Sequence, residues 1–139
     1  MKIEEQVLSR EQMARLVELG VDTSDASMAW YMSPNTNQWK IKVKDKFAHE
    51  MLRRISPERY IPTYTIGDLI EKLPKSIDLG FGEYDLELSI KGEYIGVQYA
   101  SGGDYTPLSY SKPSLIESLY SIFCGVAENH KELLEVKNE

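Results

Sequence analysis

Glu83-Tyr84-Asp85-Leu86-Glu87-Leu88-Ser89-Ile90-Lys91-Gly92-Glu93-Tyr94-Ile95-Gly96-Val97-Gln98-Tyr99 decides the fold class. Tyr84, Leu86, Leu88 and Ile90 alternate with Glu83, Asp85, Glu87 and Ser89. That period of two belongs to a strand with one apolar and one charged face. Lys91-Gly92 supplies a tight connection, and 94–99 returns as the partner strand. A sheet with one apolar face needs helices on that side only.

Helices are signalled on both flanks of this hairpin. Upstream, Ser9 and Gln12 form a capping box for a helix over 10–19, with Leu8 and Met13 as its hydrophobic staple. Gly20 suits the left-handed C′ position, with Val21 folding back onto Leu16. Met13, Leu16 and Val17 share the face expected to pack. Thr65 and Asp68 form a second capping box, with Tyr64 stapling Leu69; Ile66, Leu69, Ile70 and Leu73 form the apolar face, and Pro74 ends the helix. Downstream, Ser114 and Glu117 open a helix over 115–128 with an apolar stripe of Leu115, Leu119, Ile122, Phe123 and Val126. Phe47, Met51, Leu52 and Ile55 predict a short amphipathic helix over Lys46–Ile55, stopped by Pro57.

Two further strands, Met28–Met32 and 38–44, flank the turn-rich Ser33-Pro34-Asn35-Thr36-Asn37. In the second, Trp39, Ile41 and Val43 face one way and Lys40, Lys42 and Lys44 the other. Residues 60–64 are expected to be extended, and 100–112 to form a long polar loop. Strands in hairpin-like pairs favour an antiparallel sheet. The expectation is therefore a single α+β domain over 1–139, with about four mainly antiparallel strands, helices on one face, and 131–139 as a charged tail that either prolongs the last helix through Leu133, Leu134 and Val136 or frays. If the 38–44 and 83–89 strands are neighbours, the lysines meet Asp85 and Glu87, adding roughly 0.2–1 kcal/mol per pair. If they are not, the lysines protect a sheet edge or form a ligand-binding stripe.

Composition narrows the chemistry. The net charge of −6 falls entirely on 71–139, which carry six basic and twelve acidic residues, while 1–70 balance at ten of each. Neither half is basic, so nucleic acid is not an expected partner. No apolar run approaches a membrane span, the N-terminus has no secretory h-region, and a lone Cys124 fits a reducing compartment, so the reading is cytoplasmic. Cys124, His49 and His130 supply neither a zinc ligand set nor a nucleophile–base pair. Cys124 reads as a small buried hydrophobe and the histidines as solvent-facing. Asp22-Thr23-Ser24-Asp25 lacks the spacing of a calcium loop. Gly80-Phe81-Gly82 precedes a strand and is a turn; phosphate-binding glycines follow one and open a helix. No catalytic residue, metal or cofactor is assigned. The candidate contact region is the tyrosine-rich loop, with Tyr99, Asp104, Tyr105 and Tyr110.

The run Leu8-Ser9-Arg10-Glu11-Gln12-Met13, with Leu16 and Glu18-Leu19-Gly20-Val21-Asp22-Thr23-Ser24-Asp25-Ala26-Ser27-Met28, resembles a family of short hypothetical proteins from prophages and mobile elements of gut anaerobes. Ile61-Pro62-Thr63-Tyr64-Thr65-Ile66-Gly67-Asp68-Leu69-Ile70-Glu71-Lys72-Leu73-Pro74-Lys75 resembles its middle motif, and 114–129 its closing helix. These cover about a third of the chain. The resemblance implies a helix–sheet sandwich and a mobile-element setting, with no activity or site residues to carry over. The functional expectation is a non-enzymatic binding or accessory protein acting through protein–protein contacts. The alternatives are a carboxylate-using enzyme and a weak nucleic-acid binder using the lysine stripe. Oligomeric state stays open.

Overall fold

The computed structural model describes residues 2–80, 82–101 and 106–134, less the side chains at 46, 48, 49, 53 and 55. Among them are four α-helices, α1 (Arg10–Glu18), α2 (Lys46–Ile55), α3 (Ile66–Lys72) and α4 (Leu115–Asn129). The strands are β1 (Met28–Met32), β2 (Trp39–Val43), β3 (Tyr60–Thr63), β4 (Ser76–Asp78), β5 (Glu83–Lys91), β6 (Tyr94–Ala100) and β7 (Leu108–Lys112). They form two antiparallel sheets, ordered β2-β1-β3 and β4-β5-β6-β7. The α+β class holds, with seven strands where about four were expected.

Local chemistry explains the helix ends. Ser9 Oγ accepts from Gln12 N at 3.1 Å and Gln12 Oε1 accepts from Ser9 N at 2.8 Å, completing the capping box. At the other end Gly20 has φ +86, Val21 N donates to Leu16 O and Gly20 N to Val17 O. These two bonds are a Schellman motif. Thr65 and Asp68 close the second box reciprocally. At α4 only half the expected box forms, Ser114 Oγ accepting from Glu117 N at 3.3 Å. Ser9→Ala is expected to lower stability by about 1 kcal/mol, because it orphans the Gln12 N–H; a shifted denaturation midpoint with unchanged slope checks this.

The β5–β6 register pairs Lys91 with Tyr94, leaving Gly92-Glu93 as the turn. Gly92 has φ +61, as the first position of a type II′ hairpin turn requires. Tyr84, Leu86, Val97, Tyr99, Leu108 and Tyr110 lie on one face of this sheet by register. That face packs on α4, with Leu119, Ile122, Phe123 and Val126 fully buried. Ser118, itself buried, donates to Ile95 O and accepts from Lys112 N at 3.0 Å, tying α4 to the paired ends of β6 and β7.

One core joins both sheets: Leu8, Met13, Leu16 and Tyr64 from the first half cluster with Leu73, Ile77, Tyr99 and the α4 stripe. Leu8 O receives Trp30 Nε1 at 2.9 Å and Thr63 Oγ1 at 2.7 Å, seating the chain ahead of α1 on the three-stranded sheet.

Several expectations change. Residues 108–112, read as loop, are β7. The lysines of β2 and the carboxylates of β5 belong to different sheets, so they do not face each other as neighbours. Val17, assigned to the packing face, is exposed, as is Ile90 at the β5–β6 tip. The tail begins as a 3-10 turn, Lys131–Leu134, anchored by a buried Leu134; residues 135–139 lie outside the described residues.

Candidate functional site

The tyrosine region does not assemble as a surface. Tyr99 is fully buried and its hydroxyl donates to Pro74 O at 2.7 Å, which corrects its place as a contact residue. Its parity in the strand explains this, since Leu86, Tyr99 and Leu108 stand in one inward-facing row. Tyr110 is half-buried against Gly125, where an added Cβ would stand 2.9 Å from its hydroxyl. Asp104 and Tyr105 lie outside the described residues.

A polar cluster does form, around the start of α3. The Tyr64 hydroxyl is 2.6 Å from Asp25 Oδ1 and 3.0 Å from Asp22 O; its single proton goes to the carboxylate, the stronger acceptor. Lys72 Nζ meets Asp25 Oδ2 at 2.5 Å, its side chain only 7% exposed. Asp68 Oδ2 accepts from Ser27 N and Oγ and from Thr65 N. Apart from the Thr65–Asp68 cap bond, these contacts pin the 22–27 turn to Tyr64 and α3, so the cluster holds the fold together.

Burial raises the Tyr64 phenol, helped by its bond to Asp25 and by the charges of Asp25, Asp22 and Asp68. Burial alone raises Tyr99. A phenol ionising higher in the folded than in the unfolded chain contributes stability that is complete below pH ~10 and lost above it. The unfolding free energy is therefore expected to stay level with respect to these two groups up to about pH 10. Above that it falls by up to roughly 1.4 kcal/mol per pH unit for each. Tyr64→Phe removes one share of that slope, and urea titrations at stepped alkaline pH measure it. Cys124 is half-buried beside Tyr120 and its thiol is pushed up by burial, the opposite of an activated nucleophile. His130 ends α4; the His49 side chain is outside the described residues. Among the described residues no three His, Cys, Asp or Glu side chains converge as a metal site requires, and no helix is long and apolar enough to cross a membrane.

The anomaly lies on β2 and α2. Phe47, Glu50, Met51 and Arg54 fall at i, i+3, i+4 and i+7, one stripe along α2, and line a shallow groove. Phe47 is 77% exposed and Met51 44%. The amphipathic helix expected here forms, yet two residues of its apolar spacing stand in solvent. Val43, at the end of β2, is 75% exposed. Residues 39–55 carry six basic and two acidic side chains, a local surplus of +4 in a chain of net −6.

β2 is an edge strand, and among the described residues no strand pairs with its outer side. Ser33 N bonds Gln38 O and Lys44 N bonds Ser27 O. This fixes the parity of the ladder: residues 40, 42 and 44 exchange their backbone bonds with β1. Trp39, Ile41 and Val43 therefore aim their N–H and C=O groups outward. On the lysine face, Lys42 Nζ stands 4.8 Å from the Tyr31 ring centroid, and Lys44 Nζ donates to Ser24 O. Lys40 and Lys42 are exposed. On the other face Arg10 stacks over Trp39 at 4.4 Å. Trp39 is half-buried there.

Compared with protein-family models, curated proteins and solved structures, the chain finds no match in any of the three.

Proposed function

We propose that this chain is a non-catalytic binding or accessory protein that works through protein–protein contacts, and that the exposed stripe of α2 and the open edge of β2 are its contact surfaces. The observation that carries this is the pair Phe47 and Met51, held in solvent on a stripe with Glu50 and Arg54. Leaving a large aromatic ring in water gains nothing for the fold, and apolar anchors ringed by charge are how contact surfaces are built. The positive surplus of the 39–55 segment against an acidic remainder favours a negatively charged partner. A phage or mobile-element setting rests on the resemblance of 8–28, 61–75 and 114–129 alone.

The test compares two baits in extracts of cells that carry the gene: the wild-type chain and a chain with both Phe47→Glu and Met51→Glu. Both substitutions are on exposed positions, so circular dichroism and melting should match wild type. A discrete partner held in stoichiometric amount by wild type and lost from the double variant is the expected result. Identical captures by both baits would overturn the contact role of α2.

A further inference from the structure

We infer that the outer edge of β2 takes an extended acidic segment of a protein partner as a fourth strand, with carboxylates alternating with apolar side chains. This rests on the contact role proposed above and names the partner's chemistry.

Three observations converge. The outward N–H and C=O groups of Trp39, Ile41 and Val43 have the spacing of a strand ladder. An added antiparallel strand would exchange its bonds with these three residues. It would then sit opposite Lys40 and Lys42 at the closer, non-hydrogen-bonded positions, where side chains approach most. Both lysines are exposed and lie on one face two residues apart, so they select carboxylates at i and i+2 of the incoming strand. On the other face Ile41 and the exposed Val43 offer apolar surface to the residues between.

The same lysines disfavour a second copy of the chain. Antiparallel pairing of two β2 edges about Ile41 sets Lys40 of one copy against Lys42 of the other, like charges directly opposed. An acidic strand turns that repulsion into attraction. A nucleic acid or an anionic membrane would also meet the lysines, but neither uses the outward backbone groups.

The probe is a capped synthetic peptide, Glu-Tyr-Asp-Leu-Glu-Leu-Ser, which copies residues 83–89 of this chain and has the required alternation. It is titrated into the full-length protein and followed by backbone amide NMR. Saturable shifts at the amides of Trp39, Ile41 and Val43 are expected, and no binding by a peptide with lysine in place of the three acids. K40E/K42E should weaken binding by about tenfold or more. Ile41→Pro should do the same, because it deletes one outward donor while leaving the ladder to β1 intact. The unchanged β1 amide shifts verify that each variant is folded. Absence of shifts at about 1 mM peptide overturns the inference. So does binding that survives Ile41→Pro, or shifts matched by an oligothymidylate or by phosphatidylserine vesicles, because each shows charge attraction without strand addition. Failure here alongside a partner lost from the Phe47/Met51 double variant would reject the strand mode and keep the contact role. Success here with captures indifferent to that double variant would do the reverse.

Discussion

Replacing Phe123 with alanine is expected to remove about 3–5 kcal/mol of stability, whereas Phe47→Ala should stay within roughly 0.5 kcal/mol of wild type. Phe123 is fully buried on α4, its ring centroid 5.7 Å from that of Tyr64 at a tilt of 47°. Tyr64 follows β3 of the three-stranded sheet, and α4 covers the four-stranded one, so this contact lies where the two halves of the core meet. Truncation there opens a cavity that neither sheet can close without moving the other, and the cost exceeds transfer of the ring alone. The melting temperature should drop by roughly 10 °C or more for a chain this size. Phe47 has little to lose, being mostly in water already. Thermal melts of the two variants side by side give the comparison, and similar losses would mean that α2 is packed and Phe47 is no free anchor.

The second large effect centres on Asp25. Asp25→Ala strands the Lys72 ammonium, only 7% exposed, and removes the acceptor of the Tyr64 hydroxyl. Removing one partner of a buried pair costs about 3–5 kcal/mol. Asp25 is itself 30% exposed, so water reaches the site and the expected loss is nearer the lower figure. The loss should come from the orphaned charge more than from the missing attraction. Adding Lys72→Met to Asp25→Ala should therefore recover part of the stability, giving a favourable coupling in a double-mutant cycle. Denaturant unfolding of the four species measures it; strictly additive losses would show that the two side chains act independently.

The fold was legible wherever its causes were local. Ser9-x-x-Gln12 and Thr65-x-x-Asp68 satisfy orphan N–H groups within one helical turn, and both boxes are present. Alternation over 83–90 depends only on which residues are apolar, and β5 forms there, with Tyr84 buried and Leu86 half-buried but Leu88 and Ile90 exposed toward the hairpin tip. What failed depended on distant partners. Leu108 and Tyr110 alternate with Ser109 and Ser111, a strand signal of its own, but Gly102-Gly103 and Pro107 suggested that the whole segment was loop. β4 is three residues long, below the reach of any period. The split into two sheets separated Lys40 and Lys42 from Asp85 and Glu87, because strand order follows from tertiary packing.

The contact side was half legible. The alternation of β2 and the amphipathic spacing of Phe47 and Met51 are both plain in the sequence. Spacing identifies an apolar stripe but says nothing about whether another element covers it, so the exposure of Phe47 and Met51 could not be read from it. Tyr99 failed in the opposite sense: its place beside a tyrosine-rich loop suggested a surface, while its alternation with Gln98 placed it inside. In each case burial was decided by the neighbour across the interface.

The most direct test of the contact role is site-specific photo-crosslinking in cells that carry the gene. A photoreactive residue is placed either at Phe47 or at Tyr94, which is also an exposed aromatic but sits at the tip of the four-stranded sheet. A discrete adduct from position 47, absent from position 94, is the predicted result. Equal labelling from both positions, or an adduct from Tyr94 alone, would contradict it.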